Sequence, residues 1–172
     1  TGEVMAFPQG QSFSKNVTAI GYTDCDKKPA FKLALHRDGD RWFLYCGLFW
    51  HSGFSIIEVT DPTNPRFVRY VEGPANTWTL QVQVSDGLLV TSQEKIMEGW
   101  GHTEGQPWGE GVLIWDLKDP ENPELLSHWK TGGDGTHRNY YDGGRYIYAT
   151  GLPEGYQGNI LQIIDIDDPR NP

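Results

Sequence analysis

Three histidines stand at comparable places in three successive stretches of the chain. His51 follows the run "WFLYCGLFW", His102 lies in a glycine-rich stretch, and His137 comes just before "RNYY". Imidazole is the commonest ligand of transition metals near neutral pH, and three histidines leave a coordination position for water or substrate. The pattern therefore predicts a metal site for Zn, Fe or Cu at which the three side chains converge.

Other side chains near these histidines suit a small-molecule substrate. Glu104 is predicted to be a catalytic carboxylate beside the metal, and Arg138 to hold a substrate carboxylate through its guanidinium group. The aromatic side chains predicted to shape the pocket are Trp50, Trp100, Trp108 and Tyr140. Because a bound metal polarises an oxygen or activates water, we expect hydrolysis or lyase chemistry on a molecule bearing a carboxylate or an aromatic group.

A repeated turn between two strands must position these residues, and this Asp-Pro-x-Asn-Pro turn is called the corner below. The segments "FSIIEVTDPTNPRFV", "VLIWDLKDPENPELL" and "LQIIDIDDPRNP" align without gaps, with Asp-Pro pairs beginning at Asp61, Asp119 and Asp168. Aspartate hydrogen-bonds its own backbone two residues on, and proline presets a turn, so the corner ends one strand. The second proline of the corner has no N–H for a sheet and belongs at the start of the next strand.

Each repeat also contains an Asp-Gly pair between two apolar or aromatic runs. These pairs begin at Asp38, Asp86 and Asp142, and they predict β-hairpins. Repeats of roughly 50 residues with several short strands are typical of propeller blades. The sequence therefore predicts an all-β protein whose blades have four antiparallel strands, with roughly two and three-quarter blades of a larger ring in this chain.

The predicted blades divide the chain into four parts. These are a loop-rich segment 1–30 that is a candidate closing strand, a first blade 31–74, a second blade 75–130 with an inserted loop 92–111, and an incomplete third blade 131–172. A second polypeptide or the remainder of a longer chain is expected to complete the ring. In such a blade, the start of the first strand and the connection from the second strand lie at one end, which places all three histidines near one opening.

The three corners resemble the LVIVD-repeat family of β-propellers. The resemblance covers about residues 31–172 and rests on "SIIEVTDPTNP", "VLIWDLKDPENP" and "LQIIDIDDPRNP". It implies the propeller fold and, because family members are often exported or surface-associated, a periplasmic or extracellular location. It implies almost nothing about chemistry, since most members have no assigned activity.

Charge and hydropathy argue against a nucleic-acid partner and against a membrane span, while the state of the two cysteines stays open. The formal net charge is −9 and no basic patch is visible, so nucleic acid is not an expected partner. No run of 18 apolar residues is present, so no membrane span is expected. Cys25 and Cys46 either pair in an oxidising compartment or both stay reduced.

A non-catalytic protein is the alternative to a metal enzyme. An interaction propeller displayed outside the cell and binding a protein or a glycan would use the same tryptophan-rich loop, because aromatic residues dominate interface energetics. Convergence of the three histidines favours the enzyme, whereas a His102 far from the other two favours the binding module.

Overall fold

The structure is a computed structural model and describes residues 15–172. Within that range three antiparallel sheets follow one another along the chain, with one short 3₁₀ turn at Cys25–Lys27. Sheet 1 contains β1 (Ala30–Asp38), β2 (Arg41–Leu48), β3 (Gly53–Glu58) and β4 (Arg66–Glu72). Sheet 2 contains β5 (Thr77–Trp78), β6 (Val82–Ser85), β7 (Leu88–Lys95), β8 (Gly111–Asp116) and β9 (Glu124–Trp129). Sheet 3 contains β10 (Thr136–Tyr140), β11 (Tyr146–Gly151) and β12 (Ile160–Asp165).

The strands of each sheet lie side by side in chain order. Sheet 1 has the order β1-β2-β3-β4, and in sheet 2 the first position is shared by β5 and β6, which both pair with β7. Sheet 3 has the order β10-β11-β12. The predicted all-β class with antiparallel strands is thus confirmed, while the closed ring and its blade number remain predictions. The first 14 residues of the predicted closing segment lie outside the described residues.

The three corners have the hydrogen bonds that the sequence predicts. Oδ1 of Asp61, Asp119 and Asp168 accepts the backbone N–H two residues on, at 2.9, 3.0 and 3.0 Å. The backbone carbonyl of each aspartate also accepts the N–H of the asparagine three residues on, at 3.0 Å in all three corners. At the hairpin between β6 and β7, Asp86 and Gly87 both have positive φ, as a type I′ turn requires.

Apolar cores lie between consecutive sheets, because each middle strand alternates its side chains between two faces. The core between sheets 1 and 2 contains Phe43, Tyr45, Phe54, Ile56, Val82, Leu89 and Leu117. The core between sheets 2 and 3 contains Val90, Val112, Ile114, Tyr141, Ile147, Ala149, Ile164 and Ile166. The other face of sheet 1 carries a smaller cluster of Cys46, Leu48 and Ile57, against which Cys25 packs.

Strand β3 of sheet 1 and its counterpart β8 of sheet 2 each begin at a glycine. Any other residue at these two positions would strain the backbone. Gly53 has φ +95° and Gly111 has φ +102°, values that side chains rarely allow. A Cβ atom at Gly53 would collide with the carbonyl oxygen of Val71, and one at Gly111 with that of Trp129. The missing Cβ atoms therefore let β4 and β9 close onto the starts of β3 and β8.

Single antiparallel bridges join consecutive sheets at one end. Leu48 at the end of β2 pairs with Thr79 of sheet 2, and Glu94 near the end of β7 pairs with Gly135 just before β10. Within each sheet the start of the first strand pairs with the end of the second, as Ala30 does with Leu48. The loops that carry His51 and His102 leave from this same end, and His137 lies at the start of β10 there. This end is called the bridged end below.

Among residues 15–172 no helix has the length and apolar character needed to cross a membrane.

Candidate functional site

The inserted loop of sheet 2 begins later than the sequence predicts. Strand β7 continues to Lys95 because its last residues pair with β5, so the connection to β8 covers residues 96–110 rather than 92–111. Asn76 anchors this loop, since its side chain accepts from Thr103 N at 2.8 Å and donates to Thr103 O at 2.9 Å. The loop is thus fixed over the bridged end.

Glu94 and His137 form a carboxylate–imidazole pair across two sheets. Glu94 lies in β7 and His137 in β10, and the neighbouring Glu94–Gly135 bridge brings the two strands together. Oε1 of Glu94 lies 2.8 Å from Nδ1 of His137. This contact holds the imidazole in one orientation and leaves Nε2 available for other chemistry.

The pair lines a cleft of about 480 Å³ at the bridged end. The lining residues are Glu94, Lys95, Met97, Glu98, Asp134, Gly135, His137, Leu152 and Asn159. The Glu94 side chain is 16% exposed and that of His137 41%, so the imidazole reaches solvent while its partner is covered. This combination of a covered carboxylate and an accessible imidazole suits proton transfer.

Burial raises the pKa of the Glu94 carboxyl above its ordinary value. The hydrogen bond from His137 and the positive charge of Arg138 act in the opposite direction and offset part of this effect. Oε2 of Glu94 is buried and has no hydrogen-bond partner among the described residues. Such an uncompensated group costs stability and is characteristic of functional sites.

Glu94→Gln is expected to stabilise the protein at pH 8 by about 1–3 kcal/mol, because a neutral amide avoids the cost of burying a charge that its neighbours compensate only in part. Because the folded pKa is raised, the cost of the charge is absent below the unfolded pKa of about 4.3. It develops as the pH rises through the folded pKa, so wild-type stability falls over that interval. Urea unfolding of both proteins at pH 4 and pH 8 measures the difference.

The control for this prediction is Glu104→Gln, which removes a carboxylate from an exposed position of the loop that follows β7. Its free energy of unfolding is expected to follow wild type at both pH values. If the free energies of unfolding of wild type and Glu94→Gln change equally between pH 4 and pH 8, the charge of Glu94 does not destabilise the folded protein.

Two of the predicted pocket tryptophans lie against each other. The rings of Trp50 and Trp100 are nearly parallel, with an interplanar angle of 18° and centroids 6.1 Å apart. Phe49 and Trp78 pack on the same group, with the Phe49 centroid 5.5 Å from that of Trp100. Trp50 is 60% exposed and Trp100 48%, so the pair presents an aromatic surface to solvent. The loop joins this surface to the cleft, because Trp100 N donates to the carbonyl of Met97.

Two other predicted site residues lie on another face. Arg138 and Tyr140 are exposed and flank the buried Asn139, so strand alternation directs them away from the core shared with sheet 2. Neither residue lines the cleft, and the Tyr140 hydroxyl donates to Asp142 at 2.9 Å. The charge of Arg138 nevertheless acts on Glu94.

Trp108 lies beside the cleft, apart from the Trp50–Trp100 pair. Its Nε1 donates to the carbonyl of Gly133 at 3.1 Å, and the Lys95 ammonium stands 4.4 Å from its ring centroid. Glu104 is exposed in the loop. Trp108 therefore helps to fix the loop against the bridged end.

The three predicted metal ligands have different surroundings. His137 contacts Glu94, whereas Nδ1 of His51 and Nδ1 of His102 are buried without a hydrogen-bond partner among the described residues. Within residues 15–172, no group of three or more His, Cys, Asp or Glu side chains is placed to hold a metal ion. The described side chains therefore supply no complete metal site, and the metal stays a prediction.

A second cleft, of about 550 Å³, lies at the opposite end, between the hairpin turns and the corners. Two of its carboxylates already serve the turns: Asp86 accepts from Gly144 N at 2.7 Å and Asp116 from Lys118 N at 2.8 Å. The cleft at the bridged end is the better candidate, because it contains the hydrogen-bonded pair of Glu94 and His137.

Comparison with known proteins leaves the family of the chain as a prediction. No family model and no curated protein matches the sequence.

Proposed function

We propose that the chain forms part of a β-propeller enzyme of the LVIVD-repeat type, with a small-molecule site in the cleft at the bridged end. The observation that carries the proposal is the 2.8 Å contact between Glu94 and His137 beside a cleft of about 480 Å³. A histidine oriented by a covered carboxylate is the usual arrangement of a general base.

The proposed reaction is a proton transfer at Nε2 of His137. The Nδ1–H group of neutral His137 donates a hydrogen bond to Glu94 and keeps its proton, while Nε2 takes a proton from water as the water oxygen attacks a substrate carbonyl. The imidazolium then returns that proton to the leaving oxygen, which completes a hydrolysis. In the lyase version, Nε2 takes a proton from the carbon next to a carboxylate. The imidazolium then returns that proton to the hydroxyl group on the neighbouring carbon, which leaves as water.

The aromatic surface of Trp50 and Trp100 indicates which substrates to test. Stacked, half-exposed indoles favour an aromatic or flat apolar group, and aromatic contacts contribute beyond the area that they bury. We therefore propose a substrate that places an aromatic group on this pair and its reacting atom near His137. A panel of aryl esters and aromatic β-hydroxy acids covers both reaction types.

Trp100→Ala is expected to weaken binding of phenylacetate, a small aromatic carboxylate, about tenfold, which corresponds to about 1.4 kcal/mol. The reason is the loss of one of the two stacked rings. Titration followed by ligand-observed NMR measures the affinity. Trp42→Ala is the matched control, because Trp42 is a similarly exposed tryptophan at the hairpin end of β2. Equal affinities in all three proteins would contradict a role for the pair.

The metal remains a separate proposal. His51 and His102 each have a buried nitrogen without a partner among the described residues, which supports both as ligands, but no group of three or more possible donors lies together in residues 15–172. The proton transfer above uses no metal. Elemental analysis of purified protein tests the cofactor, and one stoichiometric transition metal that is lost in His102→Ala would support it.

A binding protein is the second candidate, and the exposed Trp50–Trp100 pair is the observation that favours it. Binding of aromatic ligands or glycans at this pair without turnover of any panel compound would support that function over the enzyme. The periplasmic or extracellular location belongs to both proposals and rests on the family resemblance. Detection of the native protein in a periplasmic or culture fraction tests it.

Completion of the ring by further sheets also belongs to the proposal. The face of sheet 3 that points away from sheet 2 exposes Tyr146, Tyr148, Leu161 and Ile163, each by 40–62%. A second polypeptide or further residues of a longer chain would cover this face. Light scattering of native material tests it, since a mass equal to that of one 19.4 kDa chain would contradict a completing partner for this sequence.

A further inference from the structure

Residues 21–28 are seated on the face of sheet 1 that points away from sheet 2. Gly21 lies so close to the first corner that a Cβ atom there would collide with the carbonyl oxygen of Pro62. The Lys28 ammonium stands 5.0 Å from the ring centroid of Tyr70 in β4. The segment is therefore held at both of its ends before Cys25 is considered.

A left-handed turn places Cys25 on the sheet. Cys25, Asp26 and Lys27 have φ angles of 51°, 55° and 59°, a conformation that residues other than glycine seldom adopt even singly. The turn is closed by Lys28 N, which donates to Cys25 O at 3.2 Å. Three consecutive strained residues indicate that the surrounding contacts require this geometry, and such strain is concentrated at functional sites.

The turn brings two thiols together. Cys25 is half-buried and packs against the cluster that contains Cys46, which is fully buried in β2. Interaction with the Cys46 side chain lowers the pKa of Cys25 to about 7, although burial acts in the opposite direction. The Cys46 thiol donates to the carbonyl of Leu44, with the sulfur 3.9 Å from the oxygen, and the neighbouring Cys25 together with burial raises the pKa of Cys46. Cys25 thus has both the exposure and the thiolate character of a reactive cysteine.

We propose that Cys25 and Cys46 are a redox-reactive pair, in which a hydroperoxide oxidises Cys25 and Cys46 then closes a disulfide that fastens residues 21–28 to β2. This modification site is independent of the enzymatic proposal, because it lies on a different face of sheet 1 from the core shared with sheet 2.

The reaction balances with hydrogen peroxide as the oxidant. The Cys25 thiolate attacks one peroxide oxygen, the O–O bond breaks, and the departing hydroxide takes a proton to give water and Cys25 sulfenic acid. The Cys46 sulfur then attacks the Cys25 sulfur and the S–O bond breaks. The second hydroxide takes the Cys46 proton, so two thiols and one peroxide yield one disulfide and two waters.

The test exposes the full chain to hydrogen peroxide and measures its intact mass and its free thiols. We expect a mass loss of two hydrogens, disappearance of both thiols, and a peptide that links Cys25 to Cys46. We also expect tryptic cleavage after Lys27 to slow at least about tenfold, since cleavage requires the segment to open locally.

Two variants separate the roles of the thiols. In Cys46→Ser, Cys25 should stop at the sulfenic acid, which dimedone traps, whereas in Cys25→Ser the buried Cys46 should keep its thiol. Cys46→Ala replaces Cys46→Ser where the hydroxyl group impairs folding. Two free thiols in peroxide-treated wild type, or a gain of oxygen without the linked peptide, would overturn the proposal.

Discussion

Replacing His137 by Gln is expected to lower turnover of the best substrate in the ester and hydroxy-acid panel by roughly 10²–10⁴-fold, the usual contribution of a general base. Glutamine keeps a polar side chain of similar reach but has no nitrogen that accepts a proton at neutral pH. The binding of phenylacetate should change little, because the aromatic pair is intact. The comparison comes from steady-state rates of wild type and His137→Gln, measured over the same series of substrate concentrations.

His128→Gln is the matched control for that experiment. His128 is exposed in β9 and its Nε2 contacts the carbonyl of Glu110 at 2.6 Å, away from the residues that line the cleft. Its rate should equal that of wild type. A His137→Gln enzyme with the wild-type rate would exclude proton transfer by His137.

Removal of metal distinguishes proton transfer by His137 alone from chemistry that depends on a bound metal. Treatment with a chelator should leave the rate unchanged where His137 acts as a base alone. A rate that falls with chelation and returns with Zn, Fe or Cu would instead assign His137 to the metal site that the sequence predicts with His51 and His102.

Gly111→Ala is expected to destabilise the fold by about 3 kcal/mol or more. A left-handed backbone costs a residue with a side chain about 1–3 kcal/mol, and forcing atoms into a filled space adds a similar amount. At Gly111 both costs apply, because φ is +102° and the Trp129 carbonyl occupies the space of the Cβ atom. The free energy of unfolding in urea measures the effect.

Gly87→Ala provides the control, since it imposes a left-handed backbone without a collision. Gly87 has φ +73° and no atom within 4 Å of an added Cβ. Its loss should be smaller, about 1 kcal/mol. Equal losses at the two positions would show that the close approach of β9 contributes nothing.

The parts of the fold that the sequence predicts well are those decided by local chemistry. The Asp-Pro-x-Asn-Pro corners depend on hydrogen bonds between residues two and three apart, so Asp61, Asp119 and Asp168 predict them directly. The hairpin at Asp86 depends likewise on the φ angles of two residues. Such features need no knowledge of what packs above or below them.

The site was harder to predict because its central contact joins distant residues. Glu94 was assigned to a loop, whereas pairing with β5 and with Gly135 extends the strand through it. The alternation of Val90, Ser92 and Glu94 on one face is the signal that places its side chain toward sheet 3. The same alternation separates His137 from Arg138 and Tyr140, which sequence proximity had grouped together.

The bridges between sheets have a consequence for how this surface can change over generations. Leu48 pairs with Thr79 and Glu94 with Gly135 through backbone groups, so the join at each sheet boundary does not depend on most side chains. A substitution at position 94 can therefore alter chemistry while neighbouring repeats stay fastened. Glycine is required beside each bridge: a side chain at Gly135 would strike the carbonyl of Gln93, and one at Gly47 the carbonyl of Thr79. The repeats thus form a scaffold on which selection can vary reactive groups one at a time.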